Sequence, residues 1–407
     1  MATRTRSPVR RLALARLISL TGGAAAYLAL NYTIYERTGS ATWVAVTLIL
    51  TFGALGLASP FAGALGDRFD RRRVMIASDL VGAAVFFAMT FVDGPGALVA
   101  LAFLAALAEA PFLSASTAAI PNLVDEDEIG YANGLIALGR NSGIVLGPVL
   151  GGVLVASVGA GAVFAANAVS FVGSALLVVS VRERFSGDRE GSEEHQGLRA
   201  GFRFLFSDRI LRTMALTWLG LVLALGMTMV ADVPLAELFE VGSFGYGVLI
   251  ACWGGGSIIG SLAGRYLKAR HEAPAFVGAT ALVAVTCLGV GVSPWFSLVL
   301  AFVLVMGIGD GVTLVAQQGI MQRRTPDVVR SRVSGAFDAV IHTGLVPSYA
   351  LAGPAVAALG ARGVYVAGGL AAIAALAIAL PILKGERFPA AAAHGTEEPA
   401  DAALLLP

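Results

Sequence analysis

The sequence predicts an all-α integral membrane protein, with twelve transmembrane helices in two related six-helix bundles. Three observations predict it. Apolar residues make up 57% of the 407-residue chain and charged residues only 14%, whereas a soluble domain is about half apolar and a quarter charged. Hydropathy divides the chain into twelve apolar stretches, each near the ~20 residues that cross a bilayer as a helix. The second half of the chain also repeats landmarks of the first.

The stretches run 12–35, 43–65, 74–92, 97–120, 131–157, 162–181, 213–235, 245–264, 274–293, 296–320, 333–358 and 364–383. None alternates as a barrel strand would, so each is a helix with its backbone satisfied internally. The first follows Arg4, Arg6, Arg10 and Arg11 and continues to Tyr35. That exceeds the about 7–15 residues of a cleaved signal core, and predicts an uncleaved first span. The expected division is an N-terminal bundle over 1–181, a polar, mobile linker over 182–212, a C-terminal bundle over 213–388 and a disordered tail over 389–407. An even number of spans puts both termini on one side. With that side taken as cytoplasm, 24 of the 28 Lys and Arg residues fall in its loops and tails, and only Arg37 and Arg362 fall opposite. The positive-inside rule then places the chain in the plasma membrane, multi-pass, with both termini cytoplasmic.

The internal echo is specific. IPNLVDEDEIGYANG (120–134) leads into a span containing Gly147-Pro148 and then GAGAVF. TPDVVRSRVSGAFDA (325–339) leads into a span containing Gly353-Pro354 and then GARGVY. GALGDR (63–68) after span two is answered by GSLAGR (260–265) after span eight. Repeated halves of six spans are a transporter architecture, with the substrate site expected between them near mid-membrane.

Two motifs carry a family resemblance. The loop GALGDRFDRRR places Gly63, Leu65, Asp67, Arg68, Arg71 and Arg72 on a pattern that resembles the cytoplasmic gate loop of the major facilitator superfamily. Asp70 stands where that pattern has glycine, a departure similar to the macrolide- and siderophore-exporter branch. Gly63 lets helices approach closely, and Asp67 suits hydrogen bonds at a neighbouring helix N-terminus. The arginines are expected to pair with the acidic run Asp125 to Glu128; the plain alternative is a basic loop that only fixes topology. The second motif lies in NGLIALGRNSGIVLGPVLGG (133–152), where Gly134, Gly143, Gly147, Pro148, Gly151 and Gly152 resemble the span-five motif of the superfamily's antiporters. Glycines four apart give a smooth packing face, and the proline permits a bend; generic helix packing is the alternative. The resemblance implies export. The arginine that often marks proton antiport in span four is absent, and Glu109 stands there instead.

Ionisable groups at membrane depth are expensive and usually face a cavity or a partner. Glu109 in span four, with Arg140 and Asn141 in span five, is the leading candidate for proton coupling or substrate anchoring; a static Glu109–Arg140 pair is the alternative. Asp310 in GIGDGV sits among glycines that suggest a flexible helix. Asp338 and His342 are four apart on one face, and form a candidate proton relay. Asn31, Gln317 and Gln318 are candidate cavity-lining or interhelical groups. Asp232 is expected near the outer interface, and Trp43 and Trp295 as interface anchors.

Enzyme chemistry has no signature. No phosphate-binding loop appears, and His195, His271, His342 and His394 are scattered. Cys252 and Cys287 lie in apolar runs without metal-type neighbours. The expectation is no enzyme, no catalytic residue, no metal and no cofactor. A net charge of +1 gives no reason for a nucleic-acid partner. The expected function is proton-coupled export of a small amphipathic compound (drug, macrolide or siderophore-like) by alternating access, from a monomer in the lipid bilayer. An uptake transporter, or a membrane sensor on the same fold, remains the alternative.

Overall fold

The computed structural model describes residues 7–124, 128–181, 185, 197–264 and 266–384. The tail beyond 384 and the Asp125–Asp127 run lie outside the described residues, as do the side chains at 63, 67 and 140. Regular structure among the described residues is helical: α1 (Ser7–Thr38), α2 (Ala41–Arg68), α3 (Arg71–Met89), α4 (Pro95–Ala118), α5 (Ile120–Leu123), α6 (Ile129–Val158), α7 (Ala160–Ser180), α8 (Gly197–Ser207), α9 (Arg209–Leu238), α10 (Gly242–Gly264), α11 (Ala269–Val292), α12 (Phe296–Arg324), α13 (Asp327–Ala379) and α14 (Pro381–Lys384). α13 holds the last two predicted spans. They meet at Gly360, whose φ of 69° and ψ of 170° break the helix. Gly159 does the same between α6 and α7 at φ 86° and ψ 166°. Only glycine takes such a conformation without strain, so GAGAVF and GARGVY repeat one hinge. The twelve predicted spans thus correspond to twelve helical segments.

Among the described residues nine helices, with the two segments of α13 counted together, are long and apolar enough to cross a membrane. Large apolar side chains such as Phe61, Phe91, Val169, Leu176 and Val285 are exposed on the outer surface, as lipid contact requires. Trp43 and Trp295 are exposed at helix starts, where an amphipathic ring suits an interface.

Packing follows the repeat. In the first half α1 packs on α6 and α7, α2 on α4, and α3 on α4 and α7; in the second, α9 and α11 pack on α13, and α10 and α11 on α12. Two helix pairs, α6 with α10 and α2 with α13, make the main contacts between halves. The start of α1 and α14, at the two limits of the described chain, belong to one end of the bundle, here the termini end. At that end the apolar cores stay separate: Val9, Leu12, Met75 and Phe112 group with Val178 and Phe185, and Leu211, Phe276 and Ile320 group with Phe337. At the far end the cores mix the halves. Leu30, Val44 and Leu48 join Val230 and Tyr349, and Leu28 joins Val233, Ala236 and Tyr246. The halves are therefore closed on each other at the far end.

The region between the halves departs from the expected mobile linker. Its second part, GLRAGFRFLFS, folds as α8 and packs against α13. Apolar residues three apart cause this: Leu205 is buried and Phe202 half-buried on one face, while Arg203 is exposed. Gly201 admits the Arg332 carbonyl of α13 where a Cβ would clash.

Candidate functional site

Four helices of the first half bring polar groups together at one depth. Arg16 on α1, Asp79 on α3 and Glu109 on α4 each lie eight or nine residues in from the termini end, about 12–14 Å at 1.5 Å per residue. Arg16 and Glu109 are within electrostatic reach of each other, and Glu109 is within reach of Asp79. Asp79 is fully buried. Ser174 on α7 faces it, and neither carboxylate oxygen has a hydrogen-bond donor among the described residues. Arg16 is buried and Glu109 half-buried, so one guanidinium stands with two carboxylates in a cluster where unbalanced charge is costly.

Sequence reasoning named Glu109 but paired it with Arg140. The structure brings Arg16 to it; Arg140 stands on α6 with its side chain outside the described set. Asp79 was passed over. The available signal was an Asp in an apolar run, five residues inside the predicted start of span three.

The second-half candidates do not assemble into one cluster. Asp310 accepts a hydrogen bond from Ser257 of α10 at 3.1 Å. Its glycine neighbours serve packing, not flexibility: α12 is unbroken, and Cβ atoms at Gly307 and Gly311 would meet the Trp253 and Ser257 carbonyls of α10. Gln317 is buried with its Oε1 unpartnered, and Gln318 is exposed. Asp338 and His342 are both exposed, and His342 Nδ1 lies 2.7 Å from the Asp338 main-chain carbonyl. That contact is within one helix turn, and the ring is not joined to the carboxylate as a relay needs. His342 instead lines a cavity of about 410 Å³ between α2, α4 and α13, with Leu50, Phe52, Phe103, Leu345 and Tyr349. Among the first-half polar groups, Asn31 is buried and donates to the Tyr27 carbonyl at 2.9 Å. Asn141 is half-buried.

The six-position motif in α6 divides by facing. Cβ atoms at Gly143, Gly147 and Gly151 would press on α1, the last at 2.7 Å from the Ala25 carbonyl. Gly152 faces α10, 2.6 Å by the same measure from the Ser243 carbonyl, and the Pro148 carbonyl abuts Gly247. Gly134 has open space around it and belongs to neither contact. The motif thus joins α6 to its own half and to the opposite half.

The gate loop has a local architecture. Asp70, the departure from glycine, is the N-cap of α3 and accepts from the Arg73 amide at 3.1 Å. Arg71 donates to the Ala118 carbonyl at the end of α4 at 2.8 Å, and Arg72 donates to the Val179 carbonyl near the end of α7. Cations at helix C-termini are favoured by the free carbonyls and the helix dipole. These bonds tie the loop to its own half; Arg68 is exposed, stacked over Phe69. The second half answers with Asp208, which caps α9 and pairs with Arg324 at 3.1 Å, and with buried Glu272, which pairs with Arg323. Hydrogen bonding to Glu272 pushes the Arg323 guanidinium further up.

Asp232 is half-buried, six residues before the end of α9. Tyr365, on the last segment of α13, donates its hydroxyl to Asp232 Oδ1.

Comparisons with known proteins agree with this architecture. A family model described as the Major Facilitator Superfamily matches residues 12–340. The chain is 26% identical over 403 residues to the multidrug efflux pump Tap of Mycobacterium tuberculosis, covering 94% of this chain and 93% of that one. It is 25% identical over 358 residues to the enterobactin exporter EntS of Escherichia coli, covering 86% and 85%. Among solved structures, the nucleoside transporter NupG matches with a TM-score of 0.75 at 13% identity, over 93% of this chain and 100% of that one. A bacterial homologue of the iron transporter ferroportin matches at 0.74 and 15%, over 93% and 99%. At such identities the two structures speak for the fold.

Proposed function

Because the chain belongs to the Major Facilitator Superfamily, we propose that it is a secondary active transporter that exports a small amphipathic organic compound in exchange for protons. The observation that carries the reading is the Arg16–Asp79–Glu109 cluster at mid-depth in the first half. A charge cluster at membrane depth is expensive unless it is used. Glu109 is the group that takes up and releases the coupling proton, and Arg16 is its counter-charge.

The halves would act as two rocking bundles, residues 1–181 and 213–388, around the space between them. Closure at the far end and separate cores at the termini end fit a state that receives substrate from the termini side. The Lys and Arg distribution assigns that side to the cytoplasm. The apolar cavity with His342 at its wall suits a mostly apolar compound with one polar handle. The names of the relatives, an efflux pump and a siderophore exporter, favour the outward direction. All the groups invoked lie on one chain, so a monomer suffices.

The test is flux into inside-out membrane vesicles with an acid interior, using ethidium, a macrolide and a siderophore as probes. Wild-type protein accumulates at least one probe while the gradient lasts. Glu109→Gln inserts normally and loses gradient-driven accumulation. Unchanged accumulation in Glu109→Gln removes the carboxylate from the mechanism, and gradient-driven loss of probe from preloaded vesicles reverses the direction to uptake.

A further inference from the structure

We propose that the cavity between α2, α4 and α13 selects its ligand through His342, and takes an uncharged aromatic compound that donates one hydrogen bond from a hydroxyl or N–H group. What becomes of the bound compound rests on the export reading. His342 Nδ1 lies 2.7 Å from the Asp338 main-chain carbonyl. A carbonyl oxygen only accepts, so Nδ1 carries the proton and is the donor. In the neutral ring Nε2 then holds a lone pair. It lies on the ring edge turned away from that bond, and has no hydrogen-bond partner among the described residues. The imidazole is exposed on the cavity it lines, so a ligand can reach it.

The rest of the wall is apolar or already bonded. Tyr349, the other polar side chain there, donates its hydroxyl to Met229 Sδ at 3.4 Å. Its ring tilts at 33° against Phe52 of α2, with centroids 6.0 Å apart, and Phe103 of α4 adds a third ring. Such rings suit a planar ligand in offset or edge contact. The Asp338 carboxylate is within electrostatic reach of His342 but is not on the wall. Among the described residues no carboxylate, Lys or Arg lines the space, so an ionised ligand would lose water there without a counter-charge. An uncharged one loses only the hydration of its polar group, and Nε2 replaces that when the group is a donor. An ether oxygen in the same place would face the lone pair and leave it unmatched. The volume of about 410 Å³ is within the range of small-molecule sites.

The probes are tritiated 4-phenylphenol and its methyl ether, 4-methoxybiphenyl, which share two rings and differ in the donor. Binding to the purified full chain in detergent is read by scintillation proximity at about pH 8, above the range in which histidine ordinarily takes a proton. The parent binds the phenol about tenfold more tightly than the ether, the effect of one hydrogen bond. His342→Phe binds the two alike and holds the ether as the parent does, which shows the cavity intact. His342→Gln restores the preference, because its amide oxygen reaches the place of Nε2. Gly53→Leu loses both probes: a Cβ on this cavity-lining residue meets nothing within 4 Å, so the longer side chain fills the space. No preference in the parent, a preference that survives in His342→Phe, or binding unaffected by Gly53→Leu overturns the assignment. If His342→Phe loses both probes, His342→Gln decides: a preference kept supports the site and a preference lost overturns it. Preferential binding without flux of any probe in vesicles fails the export reading and keeps the site. Gradient-driven flux in a parent that binds the two probes alike does the reverse.

Discussion

Ser243, at the start of α10, donates its hydroxyl to the Gly152 carbonyl of α6 at 3.1 Å, a hydrogen bond that joins the two halves at the far end. One turn further along α10, Gly247 lies against the Pro148 carbonyl. At this point of the seam α6 and α10 meet backbone on backbone, and neither Gly152 nor Gly247 has a side chain to yield. Gly247→Ala is predicted to abolish flux by preventing closure while insertion stays normal. Gly255→Ala, on the same helix with open space around it, is predicted to transport like the parent. Vesicle flux of the two variants side by side checks this.

The α6 glycines are predicted to differ in the same way within one motif. A Cβ at Gly151 would lie 2.7 Å from the Ala25 carbonyl of α1, and overpacking of this kind costs about 1–3 kcal/mol. Gly134 meets nothing within 4 Å, and alanine is a better helix former by about 1 kcal/mol. Thermal unfolding in detergent should show a lowered Tm for Gly151→Ala and an unchanged or raised one for Gly134→Ala.

Asp70 departs from the family pattern but caps α3. Asp70→Ala is predicted to lose about 1 kcal/mol, and Asp70→Gly only a few tenths. The ordering Asp above Gly above Ala in Tm is the check.

Glu272 and Arg323 hold the start of α11 to the end of α12. The carboxylate is buried and the guanidinium is 46% exposed, so Glu272→Gln is predicted to cost about 1–2 kcal/mol after allowance for screening. Arg323 is pushed upward by the pair. A raised base contributes stability below its ordinary value and loses it only as pH rises through the folded one. That window lies above any assay, so the Tm difference between parent and Glu272→Gln is predicted to stay constant from about pH 7 to about pH 9.

The parts of the structure that were legible in the sequence were those fixed by local chemistry. The echo of GAGAVF in GARGVY was visible because the positive φ at Gly159 and Gly360 demands glycine in both halves, though the break it makes was not, and apolar runs of spanning length gave the helices to within a few residues. Long-range partners were not legible. Nothing near Glu109 in the chain points to Arg16, 93 positions earlier, and nothing near Asp232 points to Tyr365 on a later helix. Asp79 hid near a span boundary, where hydration would have excused it. Asp70 looked like a lost glycine because its value lies in the backbone amide three residues on. The glycines around Asp310 suggested flexibility because composition does not reveal that a neighbouring backbone fills the space.

The central claim is an exchange of protons for an organic compound through Glu109. It is tested most directly by a pH-sensitive dye trapped inside proteoliposomes, with no imposed pH gradient, while a transported compound runs down its own gradient. The account predicts proton movement opposite to the compound in the parent protein and none in Glu109→Gln. Compound flux through the parent with no change of internal pH would contradict it.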